Sequence, residues 1–513
     1  MRIGIDVGGT NTDAVLMQGR ELLAAVKCAT TPDVSSGILQ GLTELLAEAQ
    51  VEPNAITAVM IGTTHFTNAV IERKQLAKTA VVRLGLPATK TLPPLVDWPP
   101  DLADLVGVQR HLAHGGYEFN GRLISPLDHA ELRTIAAQIR DAGITAVALT
   151  SVFSPINADI EQEAASIIAP LLADDATITL SHEIGQIGLL ERENATVLNA
   201  CLRPLAQRTV AAFQQALAQQ QIAAPLYISQ NDGTLLSAER VTRFPVLTFA
   251  SGPTNSMRGA AFLSGVADGV VVDIGGTTTD IGVLNNGFPR PAALAVDIGG
   301  VRTNFRMPDL YSFGLGGGSL VHFDPLTIGP ESVGYRLTAQ ARLFGGEQWT
   351  ASDVAVAAGL AEFGDKERVT GLEGAILAEA VGKMRGMVET AVDRMKTSTD
   401  PVPVVLVGGG SILVGDVLAG VSQLIRPNHY AVANAVGAAL TQVGGEVDRI
   451  VALEKIGRAA ALEAAKAEAQ EKAIAAGATP ESVTIHTLET IPLSYLPGNA
   501  TRIQVKAVGD LTL

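Results

Sequence analysis

Apolar and polar residues follow two alternating patterns along the chain. Short runs rich in β-branched residues, bounded by glycine or polar turns, predict strands at 3–7, 58–61, 79–84, 145–150, 270–274 and 402–407. Longer Ala-, Leu-, Glu- and Gln-rich stretches with helical spacing of their apolar residues predict helices at 36–50, 130–142, 158–173 and 205–221. This alternation predicts an α/β protein whose mixed or parallel sheets are covered by helices.

The last part of the chain has a different pattern. Residues 451–476 are rich in Ala, Glu and Lys and predict one amphipathic helix, followed by short strands at 482–487 and 502–507. We therefore predict a small C-terminal α/β segment at 449–513, after an N-terminal region at 1–175 and a second region at 176–448. Since no run of eighteen uninterrupted apolar residues occurs, no transmembrane helix is expected.

Composition narrows the classes of function. The chain has 37 basic and 52 acidic residues, a net charge of −15, which disfavours nucleic acid and anionic membrane surfaces as partners. Its two cysteines, Cys28 and Cys201, have no paired spacing, and the first residues, MRIGID, lack the apolar core of a signal peptide, so a cytoplasmic location is expected. Glycine is abundant, with 52 in 513 residues, so the positions of the glycines matter.

A glycine-rich octapeptide occurs twice. Residues 6–13 read DVGGTNTD and residues 273–280 read DIGGTTTD, with six of eight positions identical. Each copy follows an apolar strand and precedes more β-type sequence, so each predicts a β-hairpin with a Gly-Gly turn. A Walker loop would run into a helix instead, and the string GxxxxGK[ST] does not occur in the chain.

The residue types in these hairpins suit a polyphosphate. Consecutive glycines leave backbone N–H groups uncovered, so a phosphate can approach closely, and the threonine hydroxyls add donors. The aspartate at the strand end supplies the oxygen ligand that Mg²⁺ prefers, typically through its waters. Either copy alone could be an ordinary hairpin turn, but matching Asp and Thr residues in both copies favour a site that grips a polyphosphate and one metal ion from two sides.

A third glycine cluster follows a predicted buried strand. The strand 404–407 leads into Gly408, Gly409, Gly410 and Ser411, and a helix is predicted from about Val414. Glycines at this place would let a base or ribose lie against the backbone beside a helix N-terminus. A related string, GLGGGS, occurs at 314–319. Taken alone, each of these runs is more typical of a tight connection than of a nucleotide site.

Two phosphate hairpins and a glycine-ended strand, in this order, resemble the nucleotide-binding pattern of the superfamily of actin, heat-shock chaperone ATPases and sugar kinases. The resemblance implies duplicated actin-like (ribonuclease H-like) lobes with ATP and Mg²⁺ in the cleft between them. The Ala-rich stretch AVANAVGAA at 431–439 resembles the second connecting segment of that fold. Small residues there would let the helices between the lobes pack closely.

A narrower resemblance covers residues 3 to 450. The strings GTTHFTNAVIERK at 62–74, ERENATVLNA at 191–200, SGP at 251–253 and IGPES at 328–332 resemble the A subunits of the hydantoinase/oxoprolinase family. The family's string PGPxxYGxGG keeps only its final glycines here, within 334–346. The resemblance implies ATP-dependent opening of a lactam or cyclic imide, or ATP-driven activation of a carbonyl, as in the acetone carboxylase relatives.

The resemblance also implies roles for individual residues. Asp6 and Asp273 would be the catalytic acids that position Mg²⁺, through its waters. The nucleotide would be held by Gly8, Gly9, Thr10, Asn11, Thr12, Gly275, Gly276, Thr277, Thr278, Gly408, Gly409, Gly410 and Ser411. Phosphorylating a lactam carbonyl oxygen removes amide resonance and creates a leaving group, so ATP cleavage would drive a difficult hydrolysis.

Candidate substrate residues follow the strand 58–61, at a carboxyl strand end where open α/β sheets bind ligands. These are Thr63, Thr64 and Asn68, with His65 as the candidate proton-transfer group or, equally, a structural histidine. A second group of charged residues could line a polar pocket or form a solvated helix face. This group is Glu183, Glu191, Arg192 and Glu193.

Three functions remain open at this point. The first is an ATP-dependent amidohydrolase or carbonyl-activating subunit, which the GTT, EREN and IGPES strings favour. The second is a small-molecule kinase of the same superfamily, and the third is an ATPase that activates or matures a partner enzyme. Because A subunits of the family commonly act with a B subunit, the resemblance implies a B-like partner, and we expect an oligomer. From the acidic net charge we expect no nucleic-acid or membrane partner.

Overall fold

The computed structural model of the chain describes residues 1–8, 11–29, 34–293, 295–440, 442–494, 496 and 498–512. Gly9 and Thr10, two of the predicted phosphate-binding residues, lie outside the described residues.

The strands are β1 Arg2–Val7, β2 Asn11–Gln18, β3 Glu21–Ala29, β4 Ala58–Thr63, β5 Thr79–Leu86, β6 Gln109–His114, β7 Ala146–Ser151, β8 Thr177–Leu180, β9 Leu226–Ser229, β10 Thr234–Ser237, β11 Gly269–Ile274, β12 Thr279–Asn285, β13 Phe288–Pro289, β14 Val296–Ile298, β15 Val301–Thr303, β16 Leu310–Phe313, β17 Ser319–Phe323, β18 Leu326–Ser332, β19 Val402–Val407, β20 Val421–Ile425, β21 Gln442–Ala452, β22 Thr484–Pro492 and β23 Ala500–Gly509. The α-helices are α1 Val34–Ala49, α2 His65–Ile71, α3 Pro100–Val106, α4 His129–Asp141, α5 Asp159–Ile168, α6 Leu189–Gln219, α7 Ala238–Arg243, α8 Ser251–Ser264, α9 Leu337–Gln340, α10 Ala351–Ala357, α11 Gly374–Met395, α12 Ala433–Leu440, α13 Leu453–Ile456 and α14 Arg458–Ala475.

Two of the sheets share one strand order. The first contains β3-β2-β1-β4-β9 and the second contains β13-β12-β11-β19-β20. In both, the first three strands are antiparallel, and the last two run parallel to the first strand of the glycine hairpin. The predicted fold of duplicated actin-like, ribonuclease H-like lobes is therefore confirmed, because the two hairpins occupy equivalent places in two equivalent sheets.

The C-terminal segment extends the sheet of the first lobe. β10, β21, β23 and β22 follow β9 in a nine-stranded sheet, and β21 pairs with β23 from Val443 to Ala452. The predicted helix at 451–476 is therefore too long, since residues 451 and 452 end a strand and Gly457, at φ 78°, precedes α14. The buried face of α14 is a stripe of alanines that packs on the extended sheet. The strands of the predicted segment 449–513 thus continue the sheet of the first lobe.

A further sheet, with four strands, is formed by the part of the chain between β4 and β9. Its strands are all parallel, in the order β6-β5-β7-β8, and α4 and α5 pack on it. The long helix α6 follows β8 and packs on both this sheet and the first lobe. Strands from both predicted regions, 1–175 and 176–448, contribute to the sheet of the first lobe, because β9 and β10 lie beyond residue 175.

Helices α8 and α12 pack closely against each other and against both lobes. A Cβ on Gly259 would overlap the carbonyl of Ala433, and a Cβ on Gly437 would overlap the carbonyl of Asn255. Because only glycine permits this approach, the backbones of the two helices lie in direct contact. The predicted close packing of the Ala-rich segment is confirmed in these contacts.

One expected element near the third glycine cluster is different. After β19, residues Gly409–Leu413 form a 3-10 turn, and the chain then turns through Gly415 into β20, so the helix predicted from about Val414 is wrong. The left-handed Gly415, at φ 71°, is incompatible with continuing a helix from that turn.

Among the described helices, none is both long and apolar enough to cross a membrane.

Candidate active site

The two glycine hairpins have the same internal geometry. Asp6 faces Asp13 across the first hairpin, and Asp273 faces Asp280 across the second. The turn of the first closes with Gly8 N–H donating to the Asn11 carbonyl at 3.0 Å. The turn of the second closes with the corresponding bond from Gly275 to Thr278 at 2.9 Å. The sequence repeat is therefore also a structural repeat, because equivalent residues form the hydrogen bond that closes each turn.

Asp6 is a buried carboxylate held by two amide side chains. It lies beside Gly62 of the parallel strand β4 and is only 5% exposed. Asn434 Nδ2 donates to Asp6 Oδ2 at 3.0 Å, and Asn255 Nδ2 lies 3.4 Å from Asp6 Oδ1. Burial, and then the charge of Asp13, raise the pKa of Asp6 to about 6, while the two amides lower it.

Asp13 is neutralised by residues of its own lobe and of α12. Lys27 of β3 forms an ion pair with Asp13 Oδ1, and Asn434 Nδ2 donates to Asp13 Oδ2 at 2.9 Å. Both carboxylate oxygens of Asp13 therefore have a cationic or N–H neighbour. This arrangement lets two carboxylates, Asp6 and Asp13, stand side by side in one hairpin.

Asp273 lies in the corresponding place of the second lobe. Burial, and then the charges of Asp280 and Asp6, raise its pKa to about 7, while a hydrogen bond from Ser256 lowers it. The pKa of Asp280 is also raised by burial, against a hydrogen bond from Ser312. The charge of Asp6 is one cause of the raised pKa of Asp273, so the acids of the two hairpins lie close enough to interact electrostatically.

Both other glycine runs contact the second hairpin. Gly317 and Gly318 N–H donate to the carbonyls of Gly275 and Gly276 at 3.0 and 2.7 Å. A Cβ on Gly408, which has φ 83°, would overlap Asp273 Oδ1 and the carbonyl of Ile274. The run at 408–410 therefore lies directly beside the second acid, as the prediction of one nucleotide site requires, and the run at 314–319 supports the hairpin from its other side.

The predicted phosphate-binding threonines differ in exposure. Thr12 is fully buried and lies against Gly41 of α1, whereas Thr277 is partly buried and Thr278 is exposed at the tip of its hairpin. Asn11 is partly buried at the first turn. The accessible members of the predicted set at the two turns are thus Asn11, Thr277 and Thr278.

The predicted substrate residues lie next to the first hairpin. Thr63 ends β4 opposite Val7, and Thr64 precedes α2. The Thr63 backbone exchanges two hydrogen bonds with Ser251 Oγ, at 3.1 and 2.9 Å, at the start of α8. Asn68 Nδ2 donates to Thr64 Oγ1 at 3.3 Å, and the partly buried His65 begins α2. The GTT and SGP strings therefore meet at this strand end.

Three of the four residues of the EREN string, Arg192, Glu193 and Asn194, are buried rather than exposed. Arg83 of β5 donates to Glu193 through Nε at 2.6 Å, and both side chains are fully buried. Arg192 donates to the carbonyls of Gln186 and Ile187 at 2.7 Å each. These contacts tie α6 to the four-stranded sheet, so neither the pocket nor the solvated face predicted for Arg192 and Glu193 is correct.

Glu183 and Glu191, the other two members of that charged group, lie nearer the surface. Glu183 lines a cavity of about 530 Å³ between the loop before α6 and the C-terminal strands, where it pairs with Arg243. Glu191 lies 3.7 Å from Arg302.

The residues at the hairpins fit a nucleotide with a largely hydrated metal ion. The described residues contain no group of three or more His, Cys, Asp or Glu side chains that could enclose a metal. Mg²⁺ bound with phosphates needs only one or two carboxylates, and Asp6 and Asp273 are the two that would hold it. Thr12 Oγ1, Asn255 Oδ1 and Ser411 Oγ are buried without a hydrogen-bond partner in the described part of the chain. Such atoms are expected where a ligand or water completes a site.

Sequence reasoning missed three polar residues of this site. Asn255 and Ser256 follow the SGP string by two and three residues, and Asn434 is the single polar residue of the AVANAVGAA stretch. A lone amide in a helix of small apolar residues is the signal that could have identified Asn434, because a buried amide requires partners.

Comparison with known proteins relates most of the chain to one family. The family model described as hydantoinase/oxoprolinase N-terminal region matches residues 2–172, and the model described as hydantoinase/oxoprolinase matches residues 192–365. The caprolactamase subunit alpha of Pseudomonas jessenii is 29% identical over 392 residues, covering 70% of this chain and 54% of that protein. The acetophenone carboxylase gamma subunit of Aromatoleum aromaticum is 27% identical over 391 residues, covering 70% and 53%. The chain thus spans about half the length of these curated relatives.

Solved structures share the fold over the whole chain. The ATP-dependent caprolactamase from Pseudomonas jessenii superposes with a TM-score of 0.80 at 19% identity, covering 100% of this chain and 88% of that one. A nucleotide-free acetone carboxylase superposes with a TM-score of 0.69 at 16% identity, with the same coverage. The family models together match well over half of the chain, and on this ground the chain belongs to the hydantoinase/oxoprolinase family.

Proposed function

We propose that the chain is the ATP-dependent A subunit of an amidohydrolase. In this proposal, ATP phosphorylates the carbonyl oxygen of a lactam, a cyclic imide or a related carbonyl compound, and the activated carbonyl is then hydrolysed. The single observation that carries the proposal is the pair of equivalent hairpins in a chain of the hydantoinase/oxoprolinase family. Their acids, Asp6 and Asp273, interact electrostatically.

The groups around the two acids support phosphoryl transfer. Phosphoryl transfer depends on positioning and charge neutralisation more than on covalent protein chemistry. Backbone N–H groups of the hairpin turns and the hydroxyls of Thr277 and Thr278 are suitable donors for phosphate oxygens, and Gly408–Ser411 is the candidate surface for the nucleoside. Mg²⁺, when bound near Asp6 and Asp273, would neutralise phosphate charge.

The substrate carbonyl is assigned to the end of β4. Thr63, Thr64 and Asn68 stand there beside the first hairpin, and His65 is the candidate group for moving a proton. Hydroxyl and amide side chains at this edge would bind the polar ring atoms of a lactam or imide. The ends of β1 and β4 are adjacent, which would bring the ring and the phosphates to one edge of the sheet.

The names of the relatives support a multi-subunit assembly. Two relatives are described as an alpha and a gamma subunit, so we propose that this chain also acts with a partner subunit of the B type. We further propose a cytoplasmic location, which suits a chain whose two cysteines are buried and unpaired.

The test is an activity assay with a defined substrate panel. The purified chain, alone and with a B-type subunit, is incubated with Mg²⁺–ATP and lactams, hydantoins, cyclic imides or polyols. Ring opening with one ADP and one phosphate released per turnover is the expected result. Asp273→Asn, in the same preparation, is the matched control and should form neither product.

Two outcomes would contradict the proposal. A stable phosphorylated product from a polyol, with no ring opening, would identify a small-molecule kinase. ATP cleavage that depends on a partner enzyme and leaves every ring intact would identify an activating or maturing ATPase.

A further inference from the structure

Asn255 and Ser256 are adjacent residues near the start of α8, and they contact acids of different lobes. Asn255 Nδ2 lies 3.4 Å from Asp6 Oδ1 of the first hairpin. The hydroxyl of Ser256 lowers the pKa of Asp273 of the second hairpin, and α8 packs against β11, the strand that carries this acid. Both side chains are buried, with exposures of 0% and 2%. One helix segment therefore holds both acids, although the acids are 267 residues apart in the chain.

Asn434 of α12 completes this arrangement from the other connecting helix. Its Nδ2 donates to Asp6 Oδ2 and to Asp13 Oδ2, at 3.0 and 2.9 Å, and its Oδ1 accepts from the backbone N–H of Ala435 at 2.8 Å. The amide therefore uses both of its N–H groups and its oxygen. An aspartate could not replace it, because a third carboxylate would have no hydrogen to donate.

The helices that carry these side chains cannot shift independently. A Cβ on Gly437 would overlap the Asn255 carbonyl, so the backbone beside Asn434 is in contact with the backbone that carries Asn255. A movement of α12 relative to α8 would therefore change the contacts of Asp6, and a rotation of α8 would change those of both acids.

We propose that Asn434, Asn255 and Ser256 are positioning residues that let the α8–α12 helix pair, rather than the hairpins alone, set the geometry of the two acids toward Mg²⁺ and nucleotide phosphates. This inference rests on the proposed ATP site but not on the identity of the lactam or carbonyl substrate. Partners that orient a metal-binding carboxylate commonly change metal affinity by roughly 10- to 100-fold when removed.

The test measures how strongly Mg²⁺ and nucleotide support each other's binding. ADP is titrated by calorimetry into the chain with and without Mg²⁺, and the ratio of the two dissociation constants is the coupling factor. Asn434→Ala and Asn255→Ala should reduce the coupling factor by about 10-fold or more while changing the affinity for metal-free ADP by less than about 2-fold. Asn434→Asp should have at least the same effect.

The control is Thr254→Val on the same helix. Thr254 is fully buried and donates to the carbonyl of Asn231 at 3.1 Å, so its hydroxyl stabilises α8 without touching either acid. This variant should lower the midpoint of thermal unfolding and keep the wild-type coupling factor. An equal loss of coupling in Thr254→Val would assign the effect to helix packing and would overturn the inference.

Ser256→Ala tests whether α8 couples the acids of the two lobes. Because Asn255 and Ser256 share one helix turn, the loss of coupling in the double variant should differ from the product of the two single losses by about 3-fold or more. Wild-type coupling in both Asn variants, or an equal loss of ADP affinity with and without Mg²⁺, would overturn the inference. A wild-type chain that couples Mg²⁺ to ADP but opens no ring would instead contradict the proposed reaction and leave the inference standing.

Discussion

Gly62 lies so close to Asp6 that a methyl group at position 62 would occupy the space of the Asp6 Oδ1 atom. The same methyl would overlap Asn255 Nδ2. The glycine that begins the GTT string therefore has a steric purpose, since it leaves room on β4 for the acid of β1 and for its amide partner. Its position links the family string to the first hairpin.

Gly62→Ala should displace the Asp6 carboxylate and reduce kcat/KM for ATP cleavage by roughly 10²-fold, because small misplacements of reacting groups carry large kinetic costs. The matched control is Gly252→Ala, where the nearest atom to the new Cβ would be Thr64 Cγ2 at 3.6 Å, an ordinary contact. Steady-state kinetics with both variants measures the difference. Equal activities in the two variants would show that the Asp6 position is unimportant.

Asp273→Asn should remove ATP cleavage and also stabilise the protein. Burial and neighbouring carboxylates raise the pKa of Asp273 to about 7, so the ionised side chain is less stable in the folded chain than in the unfolded one. A neutral amide should increase the free energy of unfolding at pH 8 by about 1 kcal/mol or more, and turnover should fall by roughly 10²-fold or more. Urea unfolding and an ADP-release assay measure the two effects. Near-wild-type turnover would contradict the role of this acid.

Glu193→Gln should destabilise the chain, because it leaves Arg83 charged and buried without its partner. Removing one member of a buried ion pair costs about 3–5 kcal/mol. Glu118→Gln is the control, since Glu118 pairs with Arg122 at the surface, and such pairs contribute at most about 1 kcal/mol. Denaturant midpoints compare the two variants. The double variant Arg83→Met with Glu193→Leu should recover much of the loss, and a failure of Glu193→Gln to unfold earlier than Glu118→Gln would refute the buried pair as a structural tie.

His486 should make stability depend on pH. Burial, and then the charges of Lys506 and Arg258, lower its pKa from 6.5 to about 4. Because protonation is easier in the unfolded chain, the stabilisation is complete above pH 6.5, falls as the pH decreases toward 4, and changes little below that. The loss should be about 1–2 kcal/mol, allowing for solvent screening of a partly buried ring.

The measurement for His486 is urea unfolding at several pH values between 7.5 and 4. His486→Gln removes the titrating ring, which lies against Phe288 at 4.1 Å between centroids with the ring planes tilted by 49°, and should flatten this part of the pH profile. Parallel profiles for the wild type and the variant would show that other groups cause the dependence.

Local chemistry explains which features were predictable. Each glycine hairpin is a contiguous octapeptide, and its turn bond joins residues three apart, so its conformation follows from neighbours in sequence. The alternating strands and helices also follow from short-range periodicity. The predictions failed where long-range contacts dominate. The start of the predicted helix at 451–476 is a strand because β21 pairs with β23. Glu193 is buried because it pairs with Arg83 of another sheet.

The sequence by itself determined the two hairpins, their aspartates, the order of the glycine-rich segments and the membership of the chain in a family. Only the tertiary structure decided that Asn255, Ser256 and Asn434 hold the two acids, and that the C-terminal strands extend the first lobe. The physical reason is the range of the interactions. A turn or a helix is stabilised by residues close in sequence, whereas the partners of a buried carboxylate are set by how distant helices and strands pack, and no local pattern encodes that pairing.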